Sequence, residues 1–320
     1  MVGDKSSFSK LSSKNDFIIT DENKELRLDR FLISKGLNFS LIQKLVRKKL
    51  IKVNDQKTEI SYRLNYGDNV TIFANLNFEE KTKAPKSVSL DIISKLKNSI
   101  IFQDENLVVI NKKTGLAVQG GSGIKTSVDD IIAHLKFNNG QNPKLVHRLD
   151  KDTSGILLIA RNRKSADFLT NSFREKTIKK TYFALVKGIP SQKSGIIDIP
   201  LCKKYHGIIE KVYPDQINGK KAITNYKLLE YFEDKDCSLL ECNPITGRTH
   251  QIRVHLKEIG HPIIGDFKYG NKNTDFKNLG LAKRLYLHAF KIEIEDFFGE
   301  NITISTHKNL QKNKYLSVFQ

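Results

Sequence analysis

A chain of 320 residues with 39% hydrophobic content is long enough for one large domain and a smaller one, each with a packed core. Its 54 lysines and arginines against 35 acidic residues give a formal charge of +19, which favours polyanions, nucleic acid first and an anionic membrane surface second. Three cysteines without a Cys-x-x-Cys pair, no run near the roughly 20 apolar residues of a spanning helix, and no apolar segment at the amino terminus argue against a disulfide scaffold, a zinc site, a membrane span and a secretory signal. A cytoplasmic protein is expected.

Residues 1–15 are polar, rich in Ser and Lys, and read as a flexible tail. Residues 16–78 read as a compact unit. Its first helix is predicted over 26–35, with Leu28, Phe31 and Leu32 inward and Gly36 closing it. Ser40 is the expected N-cap of a second helix over 41–49. That helix has an apolar face of Leu41, Ile42, Leu45 and Val46, and a basic one carrying Lys44, Arg47, Lys48 and Lys49. By itself such a charge run is most simply a solvated face. A strand and turn begin at Ile51, and a further strand covers 70–74.

Residues 79–98 are charged, contain Pro85 and read as a linker. The remainder, 99–320, reads as one α+β unit. Strands are predicted at 100–102, 107–111, 145–148, 155–160, 181–186, 222–229, 238–243, 285–294 and 302–305. Helices are predicted at 128–137, 164–175 and 250–259. Ser127 with Asp130 makes a capping box for the first of these helices. Many strands and few helices point to a mixed, largely antiparallel sheet and not a doubly wound one.

Four segments carry charge or chemistry. In 145–161, LVHRLDKDTSGILLIAR, a charged loop is pinned between two apolar runs. Asp150 there is either a reactive carboxylate or an Asp that caps a turn; spacing alone leaves both open. The glycine-rich 115–123, GLAVQGGSG, lacks the Gly-Lys-Ser/Thr ending of a nucleotide loop and reads as a tight surface loop. In 246–256, TGRTHQIRVHL, a loop turns into a helix near Thr249, with Arg253 one turn on. A helix start with Arg and Thr suits an anion or an ion-paired carboxylate. His250 and His255 lack the spacing and the Glu of a zinc-binding helix, so structural histidines are expected and no metal. In 180–188, KTYFALVKG, Tyr182, Ala184 and Val186 share one strand face, where a Tyr is ordinarily a core aromatic.

In this order the segments resemble the RluA family of pseudouridine synthases. HRLDKDTSG at 147–155 is similar to the family signature. DENLVVINKKTG at 104–115, the Tyr strand, the Arg helix, GHPIIGD at 260–266 and LYLHA at 285–289 are similar to the remaining motifs. The similarity spans 98–310. Lys112-Lys113-Thr114 departs from the family's usual Lys-Pro-Ala, which bears on local loop shape. The 119–123 loop and the overall layout are most like the C type of the family, which acts on large-subunit ribosomal RNA. The unit at 16–78 resembles the alpha-L (S-four-like) RNA-binding motif, whose second helix and following turn grip phosphates. That implies RNA contacts for Lys44, Arg47, Lys48 and Lys49.

The resemblance implies a uridine-to-pseudouridine isomerase that needs no cofactor. It assigns the nucleophile to Asp150, its cationic partner to Arg253 and the residue stacked on the uracil to Tyr182. Arg148 would fill the space left by a flipped base, and Arg248 would contact RNA. The implied partner is ribosomal RNA of the large subunit, bound by a monomer. The same chemistry on transfer RNA, or a non-catalytic ribosome-assembly factor of the same fold, are the alternatives.

Overall fold

The computed structural model describes residues 14–74, 76, 88–121, 123–135, 143–206, 209–270, 274, 276–307, 310 and 312–319. The chain divides into two compact units, residues 1–84 and 85–320. Residues 1–13 of the expected tail, 79–87 of the expected linker and the end of the helix expected at 128–137 lie outside the described residues.

In the first unit an antiparallel sheet has the order β1-β4-β2-β3, from β1 (Lys14–Ile18), β2 (Ile51–Val53), β3 (Gln56–Lys57) and β4 (Asn69–Phe73). Strand β1 takes in Lys14 and Asn15, which read as tail, because both pair with β4. Helices α1 (Leu28–Ser34) and α2 (Phe39–Arg47) accompany the sheet. Leu28, Phe31 and Leu32 of α1 join Ile42 and Leu45 of α2 in one core with Ile51, Val70 and Ile72. Gly36, at φ 93°, takes the left-handed position that stops α1. The N-cap of α2 is Asn38 and not Ser40: its side-chain oxygen accepts the Leu41 N–H at 2.8 Å, so the helix starts earlier than the hydroxyl suggested. Lys44, Arg47, Lys48 and Lys49 are exposed, and no carboxylate among the described residues pairs with them.

The second unit opens with α3 (Leu90–Lys97), inside the stretch that read as linker. Charge disguised an amphipathic period there: Ser89 caps the helix, and Ile92, Ile93 and Leu96 pack on the core. Then come β5 (Ile100–Gln103), β6 (Leu107–Lys112), α4 (Val128–Ile132), β7 (Lys144–Leu145), β8 (Ser154–Ala160), α5 (Arg163–Glu175), β9 (Lys179–Lys187), β10 (Ser194–Asp198), β11 (Leu201–His206) and β12 (Ile209–Pro214). After these run β13 (Ile223–Phe232), β14 (Cys237–Pro244), α6 (Gln251–Glu258), β15 (Leu287–Phe297) and β16 (Glu300–Ser305), and a 3-10 helix over Lys312–Phe319. The capping box of Ser127 and Asp130 is present at α4.

The principal sheet runs β10-β13-β14-β9-β15-β8-β6-β5, with β16 beside β15 and β7 beside β8. All its pairings are antiparallel except β8 with β15, so the α+β, largely antiparallel architecture holds. Strand β8 is buried throughout because both its faces are covered. Leu157 and Ile159 pack with α3 and α4, and Ile156, Leu158 and Ala160 with Ala166 and Leu169 of α5. Strands β10, β11 and β12 occupy a stretch where the sequence suggested none. Conversely, the strand expected over 145–148 stops at Leu145. The next ladder donor, the Leu158 N–H, is taken by Nε2 of His147 at 2.8 Å, which frees residues 146–150 to leave the sheet as a loop.

Candidate active site

Asp150 leads from that loop into β8, at a place fixed by backbone contacts on both sides. The Thr153 N–H donates to the Asp150 carbonyl, and the Gly115 N–H to that of Lys151. Lys112, at 1% exposure, donates its ammonium to the carbonyls of Lys113, Leu116 and Lys151 at 2.9–3.1 Å. Burial pulls this Lys down to about 8, against the charges of Asp152 and Asp150. The Thr114 hydroxyl, at the position where the motif departs from its usual form, donates to the Asp152 carbonyl at 2.7 Å. The 112–116 segment therefore clamps the turn that holds Asp150. One step further, Gly155 has φ 107°, and a Cβ there would overlap the Ala289 backbone of β15. Only glycine fits.

The facing wall is the loop into α6. Gln251 locks it with all four of its hydrogen-bonding capacities. Its amide oxygen accepts from the Thr246 hydroxyl and the Arg248 N–H, and its NH2 donates to the Ile223 carbonyl and the Thr224 hydroxyl. His250 adopts left-handed backbone at φ 53°, so α6 begins at Gln251 and not at His250. Arg253 then projects from the first turn, its side chain only 6% exposed.

Arg253 serves two carboxylates. Nε and Nη2 donate to the buried Asp266 at 2.8 and 2.7 Å in a planar fork, and Nη1 lies 3.5 Å from Oδ2 of Asp150. Its guanidinium also sits 5.1 Å over the Tyr269 ring. Burial disfavours the Arg253 charge, but the hydrogen bonds and charge of Asp266, with Asp150 beyond, outweigh it and hold the guanidinium above its ordinary pKa. A buried cation fixed in this way presents its charge to a nearby carboxylate without swinging to meet it.

Tyr182, on β9, lines the same cleft of about 470 Å³ as Asp150, His250 and Arg253. Burial first, then the charge of Asp150, push its phenol up, so it stays an O–H at neutral pH. Arg148 is exposed at the rim, with no ion pair among the described residues, and Arg248 is exposed across from it, donating Nε to the Lys221 carbonyl. Arg174, Lys176 and Lys180 add positive charge to the wall. Lys180 is lowered by burial and by Lys176. His147 is pushed down to about 3 by burial and by Lys180, and stacks on Phe173 at 4.5 Å.

The structure thus gathers Asp150, Tyr182, Arg253, Arg148 and Arg248 around one cleft, while Lys44, Arg47, Lys48 and Lys49 belong to the other unit. Sequence reasoning gave no role to Asp266 or Tyr269, though Asp266 ends one of the quoted motifs. It grouped His250 with His255 as structural. His255 is that, buried between the Thr224 hydroxyl and the Ile199 carbonyl. His250 lines the cleft instead, its Nε2 3.7 Å from Oδ2 of Asp150. Arg174, Lys176 and Lys180 left no local signal. Among the described residues no group of His, Cys, Asp and Glu could hold a metal, and no helix is long and apolar enough to cross a membrane.

The family model for RNA pseudouridylate synthase matches residues 106–258, which contain Asp150, Tyr182 and Arg253. A ribosomal large subunit pseudouridine synthase C from Rickettsia felis is 43% identical over 87% of this chain and 92% of its own length. Its namesake from Pasteurella multocida is 38% identical over 94% of this chain and 93% of its own. Among solved structures, human RNA Pseudouridylate Synthase Domain Containing 4 superposes with a TM-score of 0.58 at 27% identity, covering 72% of this chain and 95% of that one. A matched family motif set, relatives aligned over nearly their full length and a shared fold agree, and this chain belongs to the RNA pseudouridylate synthase family.

Proposed function

We propose that this enzyme converts specific uridines of large-subunit (23S) ribosomal RNA to pseudouridine, with Asp150 as nucleophile. The reading is carried by one observation: Asp150 faces an arginine that Asp266 has already fixed, in a cleft shared with a protonated Tyr182. The reaction breaks the N1–C1′ bond, turns the base, forms C5–C1′, and moves a proton from C5 to N1. Nothing is added or lost, so one ionised carboxylate and a place to hold the base suffice, and no cofactor is called for.

A uridine in folded RNA must first leave its stack, and Arg148 at the rim is suited to occupy the gap. Tyr182 would stack on the uracil and relay the C5 proton, accepting one as it gives up its own. Arg174, Lys176, Lys180 and Arg248 would hold phosphates near the cleft. Lys44, Arg47, Lys48 and Lys49 would do so from the first unit, read as an alpha-L RNA-binding domain. The names of the relatives support large-subunit ribosomal RNA as the substrate. The enzyme would act as a monomer in the cytoplasm.

The test is a pseudouridine map of ribosomal and transfer RNA from cells lacking the gene, rescued with wild type or Asp150→Asn. Missing 23S sites that only the wild type restores are expected. A map unchanged by deletion, or restored by Asp150→Asn, would refute the proposal, and missing transfer RNA sites would redirect it.

A further inference from the structure

We propose that His250 is a positioning residue that holds one oxygen of Asp150, with its tautomer set by Tyr269 and Tyr269 held in turn by the β11–β12 hairpin. This rests on the reading of Asp150 as the reacting carboxylate.

Four observations carry it. First, His250 is a non-glycine residue in left-handed backbone, at φ 53°, directly before α6. That conformation is uncommon at a non-glycine residue, and here it sets His250 at the cap of α6, on the wall of the cleft. Second, the Tyr269 hydroxyl accepts the Val212 N–H of β12 at 3.0 Å and lies 2.7 Å from Nδ1 of His250. With its acceptor side engaged by the peptide, its single proton goes to Nδ1. The remaining imidazole proton is then on Nε2, the nitrogen 3.7 Å from Oδ2 of Asp150. Third, burial, reinforced by Arg253 and opposed by Asp150, lowers His250 to about 4, so it acts as a neutral N–H donor and adds no charge. Fourth, Arg253 faces that same Oδ2 at 3.5 Å. Two donors therefore bracket Oδ2, which leaves Oδ1 as the oxygen that meets substrate.

The 3.7 Å separation is looser than a hydrogen bond, as catalytic contacts often are before substrate closes the site; about half an ångström of approach would make one. Tyr269 is itself firmly seated. It packs with Leu201 and Val212 of the hairpin and with Ala222 and Val254, and its N–H donates to Oδ1 of Asp266. The hairpin, Tyr269, His250 and Asp150 thus form a continuous chain of contacts reaching the reacting group.

The test uses the full-length protein and a tritium-labelled 23S RNA fragment, and measures the single-turnover rate of tritium release from C5 alongside RNA affinity. His250→Leu is expected to slow turnover about 10- to 100-fold, the worth of a hydrogen bond to a charged group, with affinity within about twofold. His250→Gln, whose Nε2 still donates at that point, should recover most of the rate. Tyr269→Phe should cost about tenfold, and Tyr269→Phe combined with His250→Leu should be no slower than His250→Leu alone.

A His250→Leu rate within twofold of wild type, a Gln variant as slow as Leu, or rate penalties that multiply in the double variant would each overturn the proposal. Thermal midpoints accompany every variant. If His250→Leu proves unfolded, the Tyr269→Phe and His250→Gln rates decide. Failure of the underlying reading looks different, because Asp150→Asn would then keep its activity.

Discussion

The sharpest consequence of the site geometry is that Asp266, which never touches substrate in this scheme, should be among the most sensitive positions in the enzyme. Consider Asp266→Asn, a change of one atom. The two carboxylate oxygens accept four donors: Nε of Arg253 on Oδ2, and Nη2 of Arg253 with the N–H groups of Lys268 and Tyr269 on Oδ1. An amide has one oxygen to offer. Its best placement puts oxygen at the Oδ1 position, keeps three donors and sets an NH2 against Arg253 Nε. The reverse placement forfeits three. In either case Arg253, at 6% side-chain exposure, keeps its charge and is deprived of its nearest counter-charge. Breaking a buried pair from one side costs about 3–5 kcal/mol. For a unit the size of residues 85–320 that corresponds to a drop in melting temperature of about 6–20 °C. Single-turnover activity should fall as well, because an unclamped Arg253 is free to collapse onto Asp150. Thermal unfolding by circular dichroism and tritium release check the two effects. A melting temperature within about 2 °C of wild type, with unchanged turnover, would refute the view of Arg253 as a cation fixed by Asp266.

Two further predictions concern pH and salt. His147 and His288 are both pushed down to about 3 by burial, with nearby cations Lys180 and Arg284 adding to the effect. Below about pH 6.5 the unfolded chain therefore binds protons that the folded unit refuses. Stability is full above that pH and declines on acidification, by about 1.4 kcal/mol per histidine per pH unit. Urea midpoints at pH 7.5 and 5 should show a decrease of up to about 4 kcal/mol, and equal or greater stability at pH 5 would contradict the assignment. Separately, replacing Lys44, Arg47, Lys48 and Lys49 with serine should flatten the salt dependence of RNA binding. The slope of log affinity against log salt should fall by about 3, at roughly 0.7–0.9 for each phosphate no longer neutralised by the protein. An unchanged slope in fluorescence anisotropy would remove α2 from the RNA-binding surface.

What was legible in the sequence is what local pattern encodes. The apolar run of β8, the alternation in β9, the capping box at α4 and the inward faces of α1 and α2 follow from side-chain periodicity, which survives in any context. The charged turn around Asp150 stood out because bulky residues flank it. Other features were set by partners distant in sequence. His147 ends β7 by substituting its ring for a ladder acceptor, which spacing does not reveal. Asn38 rather than Ser40 caps α2, its side chain accepting the Leu41 N–H, and both residue types are good caps by local pattern. Asp266 and Tyr269 gain their meaning only once α6 is laid beside the segment that precedes β15. The hairpin of β11 and β12 was missed because LCKKYH and IEKVYP show no regular apolar alternation: Leu201 and Val212 are buried, while Lys203 pairs with Glu210 and Lys204 with Asp215.

The parallel pairing of β8 with β15 within the principal sheet decides which distant residues can meet. Two strands running in the same sense present their entering ends at the same edge. The loop carrying Asp150 enters β8 there, and the segment carrying Asp266 and Tyr269 approaches β15 there. Run the other way, with the same side chains and the same number of ladder bonds, β15 would carry its approach to the far end of β8, on the order of 20 Å off at about 3.3 Å per residue. What admits the parallel approach is Gly155, where the Ala289 backbone comes too near for any Cβ. Chain direction brings nucleophile and clamp together, and the absence of a single methyl group lets it.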